Sequence, residues 1–176
     1  MAVPKLVPPS EAYLESYIAA CRETWGHAYS DYILHDPARV ATWRETIFAD
    51  YARQERGEGL PPGFVPSRTL WFVDGDMYLG TVNIRLRMTE ALKNGGGTVG
   101  LILRTSMRGR HLGRPLIVAA VAAAREMVEG PIYLNTETAA GILDRLHADG
   151  DCPYTSRETC TCLIDGEFRS LVRFTY

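Results

Sequence analysis

The chain has 176 residues, 46% of them apolar, with 19 Lys and Arg against 21 Asp and Glu and a formal net charge of −2. That length and apolar fraction suit a single domain spanning residues 1–176 around one core. The near-neutral balance argues against a nucleic-acid or membrane-surface partner and leaves only local clusters of charge to be informative. No run reaches the ~18 apolar residues of a membrane span, and residues 1–16 hold no apolar run of the signal-peptide kind, so the expectation is a soluble, cytoplasmic protein. The four cysteines, Cys21, Cys152, Cys160 and Cys162, have no partner His or Cys at metal-ligand spacing. They read as reduced structural thiols, and no metal site is expected.

Residues 4–9 (PKLVPP) read as a short extended start broken by prolines. Ser10 is the N-cap expected for a helix over 11–26, with Tyr13, Tyr17, Ile18 and Cys21 as its apolar stripe and Gly26 as its stop. Asp36-Pro37 opens a second helix, in which Val40, Trp43, Ile47, Phe48 and Tyr51 recur at helical spacing. A rigid loop, GEGLPPGFVP, ends it. Residues 67–88 then alternate around Asp74-Gly75, a hairpin signal. TEALKNGGG is a polar turn or short helix, and TVGLILRTS is a strand. GRPLIVAAVAAAREMVE is a largely buried helix that tolerates Pro115 in its first turn; only Arg114, Arg125, Glu126 and Glu129 are polar from 114 to 129. GPIYLNTE is a strand, TAAGILDRLHADG a helix, and residues 154–176 a closing hairpin around Asp165-Gly166. The order predicts an α/β fold with a mixed sheet and helices on both faces. Residues 101–133 form a strand–helix–strand crossover, expected to be right-handed with parallel strands.

The segment RTSMRGRHLGRPL, residues 104–116, links a strand to the N-terminus of the buried helix. Helix N-termini leave backbone N–H groups unpaired and carry the positive end of the dipole. Gly109 and Gly113 let the backbone curl so that these groups converge on phosphate oxygens, and Arg104, Arg108, Arg110 and Arg114 add charge. There is no Gly-Lys-Ser/Thr, so this is not a Walker loop, and the three-glycine dinucleotide spacing is missing.

Residues 108–113, Arg-Gly-Arg-His-Leu-Gly, resemble the Arg/Gln-x-x-Gly-x-Gly/Ala pattern of the GNAT acyltransferase superfamily. Gly113 stands at its second glycine, and His111 replaces the first. The preceding GGTVGLILRTSMRG, the stretch 60–92 and the terminal VRFTY resemble a bacterial subgroup of that superfamily, most firmly over residues 60–126. The resemblance implies a central mixed sheet split between two parallel strands, here Val99–Leu103 and residues 132–135. It implies transfer of an acyl group from a pantetheine thioester, usually acyl-CoA, to an amine, with no metal. Backbone groups of Leu101, Ile102 and Leu103 would pair with the pantetheine arm and stabilise the oxyanion. Arg108, Gly109, Arg110, His111, Leu112, Gly113 and Arg114 would hold the phosphate. In relatives the closing strands often pair two subunits into a homodimer.

Two departures stand out. The Tyr that many relatives use as the acid falls on Leu146, with His147 beside it. His111 adds a side chain where a pyrophosphate would press on backbone. Either it points outward and the loop still takes CoA, or the donor is the 4′-phosphopantetheine of an acyl carrier protein, an acidic partner that the arginines suit. Asn83, Arg85 and Arg87 alternate along one strand and could line a cleft for an acidic or amide acceptor. Glu137, after the second pantetheine strand, is the leading general-base candidate, with Asn83 and Arg85 beside it as the other catalytic candidates. His27 and His35 read as surface histidines near the acceptor cap. Three function classes remain: an acyltransferase acting on a small-molecule amine, a non-catalytic CoA or anion sensor, and a basic protein-docking patch.

Overall fold

A computed structural model describes residues 3–26, 33–40, 46–164 and 167–176. In chain order the elements are β1 (Lys5–Val7), α1 (Leu14–Thr24), α2 (Pro37–Val40), α3 (Ile47–Arg56), β2 (Ser67–Asp74), β3 (Met77–Arg85), α4 (Glu90–Asn94), β4 (Val99–Leu103), α5 (Gly113–Met127), β5 (Tyr133–Thr136), α6 (Ala140–Ala148), β6 (Ser156–Ile164) and β7 (Glu167–Thr175). The start of α1 differs from expectation. Ser10 is extended and its side chain makes no cap bond; Glu11–Tyr13 form a 3-10 turn instead. Trp43 lies outside the described residues. Asp74 and Met77 pair across the expected hairpin, with Gly75 at φ 60°.

The strands form two hydrogen-bonded groups, β1-β2-β3-β4 and β5-β7-β6. Every ladder among the described residues is antiparallel. The expected crossover is present, since α5 carries the chain from β4 to β5, but these two strands form no ladder. They are the flanks of the split.

Alternation along β2 sorts the core. Leu70 and Phe72 face one way and join Leu116, Ile117, Ala120, Val121 and Ala124 of α5 and Leu143 and Leu146 of α6. Trp71 and Val73 face the other way and join Tyr17, Ile18 and Cys21 of α1 and Ile47 and Tyr51 of α3. A bulge between Phe72 and Val73 shifts the register, with Gly80 opposite Phe72 and Tyr78 opposite Val73. The extra residue puts Tyr78 on the same face as Thr81, and their hydroxyls bond at 2.6 Å. Burial of Leu116, Ile117 and Val121 contributes about 1.5–3 kcal/mol for each side chain. That anchors α5 under the sheet and fixes where its N-terminus points.

Candidate active site

β4 and β5 touch where both begin. Thr98 N–H donates to the Tyr133 carbonyl at 2.7 Å, and Tyr133 N–H donates to Thr98 Oγ1 at 2.9 Å. In an antiparallel ladder, successive residues turn their backbone groups alternately toward and away from the partner. The Arg85 N–H bonds the Thr98 carbonyl and the Arg104 N–H bonds the Leu79 carbonyl. Even-numbered residues of β4 therefore bond β3, and Val99, Leu101 and Leu103 turn their N–H and C=O groups to the split. The amide groups of Ile102 are spent on Thr81, and its side chain is buried beside Trp71. On the other flank Ile132 and Tyr176 exchange two backbone bonds. The alternation then directs Asn135 N–H and C=O into the split. Apart from a 3.4 Å bond from Arg108 Nε to the Leu103 carbonyl, these facing groups have no partner among the described residues.

The chain leaves β4 into the basic loop. Arg104 is held by Glu23, Nε to Oε1 at 3.0 Å, and Glu23 also accepts from Ser106 N–H and Oγ. Burial pushes the Glu23 carboxyl up, but the bonds from Arg104 and Ser106 outweigh it and leave the group below its usual range. Arg108, Gly109, Arg110 and His111 are exposed. Gly109 and His111 both have positive φ, 73° and 61°. His111 thus keeps the left-handed backbone that glycine adopts easily, and its ring stands in solvent. Leu112 precedes α5, which begins at Gly113 with no acidic residue and no side-chain cap in its first turn. Its N–H groups retain their pull on an anion. Arg114, like Arg104, is engaged by carboxylates, here Asp149 and Asp151.

Asn83 and Arg85 share the Trp71 face of β3. Asn83 Nδ2 donates to Ser67 Oγ at 3.0 Å and to Thr69 Oγ1 at 3.2 Å. Arg85 Nη1 donates to the Gly96 and Gly97 carbonyls at 2.8 and 3.1 Å. Arg87 is exposed. Glu137 follows β5 in an exposed position, 3.7 Å from Arg169. Thr136 Oγ1 accepts from the Thr138 and Ala139 N–H groups in the turn before α6, and the N-cap of that helix, Ala139, makes no side-chain cap bond. Glu137 therefore does not cap that helix.

Solved structures that superpose on the chain include N-acetyltransferases. RimL, a ribosomal-protein alpha-N-acetyltransferase in complex with coenzyme A, superposes with a TM-score of 0.60 at 11% identity, over 100% of this chain and 94% of that one. The chain has the GNAT fold. The microcin self-immunity acetyltransferase MccE, in complex with acetyl-CoA and AMP, gives 0.58 at 10% identity over 98% and 91%. An N-acetyltransferase from Staphylococcus aureus gives 0.55 at 12% over 99% and 98%. No family model and no curated protein matches the sequence.

Within this GNAT fold, Asn135 and Arg173, which the sequence did not single out, join Arg85 at the base of the split. The carbonyls that end α4 and run into the triple glycine are gathered by three side chains from three strands. Arg85 takes Gly96 and Gly97, Asn135 Nδ2 takes Lys93 and Gly95, and Arg173 Nε takes Lys93. Asn135 Oδ1 is buried with no partner. His35 is no surface histidine. Its N–H and the Tyr51 hydroxyl both donate to the Tyr17 hydroxyl oxygen, at 3.1 and 3.0 Å. The Tyr17 proton is left for His35 Nδ1, 2.7 Å away. Nδ1 thus accepts, and the neutral ring carries its proton on Nε2. His27 lies outside the described residues. Leu146 is fully buried, and His147 stacks on Tyr154 with ring centres 4.0 Å apart. The four cysteines are unbridged, and no His, Cys, Asp and Glu cluster suits a metal among the described residues. No helix there is long and apolar enough to cross a membrane. A surface hollow of about 590 Å³ is lined by Arg56, Phe64 and Arg87 at the loop after α3. It does not include the split, whose distinguishing feature is unpaired backbone, not volume.

Proposed function

We propose that the chain is an N-acyltransferase that moves an acyl group from a phosphopantetheine thioester, acyl-CoA, to the amine of a small molecule by direct attack. The observation that carries this reading is the pair of unpaired strand edges leading to a basic helix N-terminus. Val99, Leu101 and Leu103 offer backbone groups to an extended arm as a neighbouring strand would. Arg108, Gly109, Arg110, His111, Leu112 and Gly113 receive the phosphate, with Arg114 at the rim. The fold's occurrence in structures holding CoA and acetyl-CoA supports the same donor.

The amine must be neutral to attack the thioester carbon. A C–N bond forms and the C–S bond breaks; one proton leaves the nitrogen and one reaches the departing sulfur. A backbone N–H at Leu101 suits the oxyanion. Glu137 is the proposed base, aligned by Arg169. Leu146 supplies no proton, so the thiolate leaves without a tyrosine acid; a thiolate is a tolerable leaving group.

A second reading rests on Arg114. Its engagement by Asp149 and Asp151 leaves fewer cations for a pyrophosphate, which favours the single phosphodiester of an acyl carrier protein. One experiment tests both. Acetyl-CoA and an acyl-carrier thioester are each offered with an amine panel, and thiol release and donor binding are measured. The proposal expects turnover with one donor and about tenfold weaker donor binding in Arg108→Ala. Stabilisation by CoA without turnover would make the chain a sensor. Binding of neither donor refutes the assignment.

A further inference from the structure

We propose that the acceptor amine carries a carboxylate, and that Arg85 is the residue that recognises it. This rests on the acyl-transfer reading and narrows it to a substrate class.

Arg85 is partly buried, and no carboxylate of the described residues lies within 4 Å of it. Arg104 and Arg173, whose side chains are also little exposed, have Glu23 at 3.0 Å and Glu158 at 3.6 Å. A guanidinium keeps its charge in proteins, so a partly desolvated one without a counter-ion is a ready partner for a ligand carboxylate. The Gly96 and Gly97 carbonyls occupy Nη1 alone, and Nη2 and Nε make no hydrogen bond among the described residues. Two parallel N–H groups on one edge of a guanidinium match the two oxygens of a carboxylate.

The position agrees with the chemistry. A methyl group on Gly100 would lie 3.5 Å from both Nη atoms, so the guanidinium sits over the second residue of β4. An arm whose phosphate rests in the loop beyond Leu103 runs back along β4, a strand of five residues or roughly 16 Å, toward this end. The acceptor nitrogen has to meet the thioester there. The surroundings are polar and suit a small zwitterionic molecule. Both amide protons of Asn83 are spent on Ser67 and Thr69, which leaves its Oδ1 as an acceptor on the same face. Across the base of the split, Asn135 Oδ1 is buried without a donor, and a ligand N–H would satisfy it.

The competing reading makes Arg85 only a clamp on the triple-glycine carbonyls. Wild-type protein separates the two. Acyl transfer is measured for free α-amino acids and for the corresponding α-carboxamides, with CoA binding followed on the same batch. The proposal expects kcat/KM at least about tenfold higher for the carboxylates, mostly through KM, because loss of a charged partner leaves a partly buried cation unpaired. Arg85→Gln should bring the carboxylates down to the level of the carboxamides, and Arg85→Lys should restore part of the preference. Equal rates for carboxylate and carboxamide in wild type overturn it, as does a preference that survives Arg85→Gln. If CoA binds and no carboxylate-bearing amine is acylated, the proposal falls while the donor site stands. If no donor binds, the acyl-transfer reading falls first.

Discussion

Gly97→Ala tests the geometry of the split directly. Gly97 has φ 68°, and a Cβ there would lie 2.6 Å from the Tyr133 carbonyl oxygen, 3.3 Å from its carbon and 3.4 Å from the Asn135 nitrogen. All three are backbone atoms, so no side chain can swing aside. A left-handed alanine costs about 1–2 kcal/mol. Relief of the clash must push β5 away from β4, which breaks the Thr98–Tyr133 bonds at 2.7 and 2.9 Å, each worth about 0.5–1.5 kcal/mol. Together the loss is about 2–5 kcal/mol, or a fall in melting temperature of roughly 5–20 °C for a domain of this size. Gly59→Ala is the control. Its φ is 64° with nothing within 4 Å, so only the left-handed cost of about 1–2 kcal/mol applies. Thermal unfolding of both variants, with CoA titrated into each by calorimetry, gives the answer. Equal melting temperatures for the two variants, with donor affinity unchanged in Gly97→Ala, would refute the closed base of the split.

His111→Gly should be stabilising. It relieves a left-handed side chain at φ 61°, and after the added chain entropy of glycine the net gain is about 0.5–1 kcal/mol. A melting temperature that drops by several degrees would mean that the imidazole makes a contact worth more than the strain. Acid should weaken the α1–α3 face through His35. Burial holds its folded pKa below the ordinary 6.5, against a smaller opposing pull from Asp50. The folded state therefore binds fewer protons than the unfolded state just below that value. Stability is full above pH 6.5 and declines as pH falls from there toward the folded pKa. Melting curves from pH 7.5 to 5.5 should show that slope, and His35→Gln should flatten part of it from a lower starting stability. An identical slope in the variant would remove His35 as its source.

Much of the fold was legible because side-chain period reports secondary structure locally. Alternation from Ser67 to Arg85 around Asp74-Gly75, and the apolar repeat at Leu116, Ala120 and Ala124, specify a hairpin and an amphipathic helix without long-range information. The helix start at Gly113 and the curl at Gly109 belong to the same class. Ser10 shows the limit, since a capping residue type does not guarantee a capping bond when the first turn is 3-10.

Other features depend on which distant residues meet. The parity of the β3–β4 register decides that Leu101 and Leu103 face the split while Ile102 spends its amide groups on Thr81. Four arginines between 104 and 114 look alike in the sequence, yet Glu23 takes Arg104, Asp149 and Asp151 take Arg114, and Arg108 and Arg110 stay exposed. His35, read as a surface residue, is half-buried and hydrogen-bonded because the α1 and α3 stripes bring Tyr17 and Tyr51 together beside it. Arg85 is set apart by being partly buried with no carboxylate of the described residues within 4 Å. Local pattern determined the elements and their amphipathic faces; packing across long sequence separations decided which charges were neutralised and which backbone groups were left to bind.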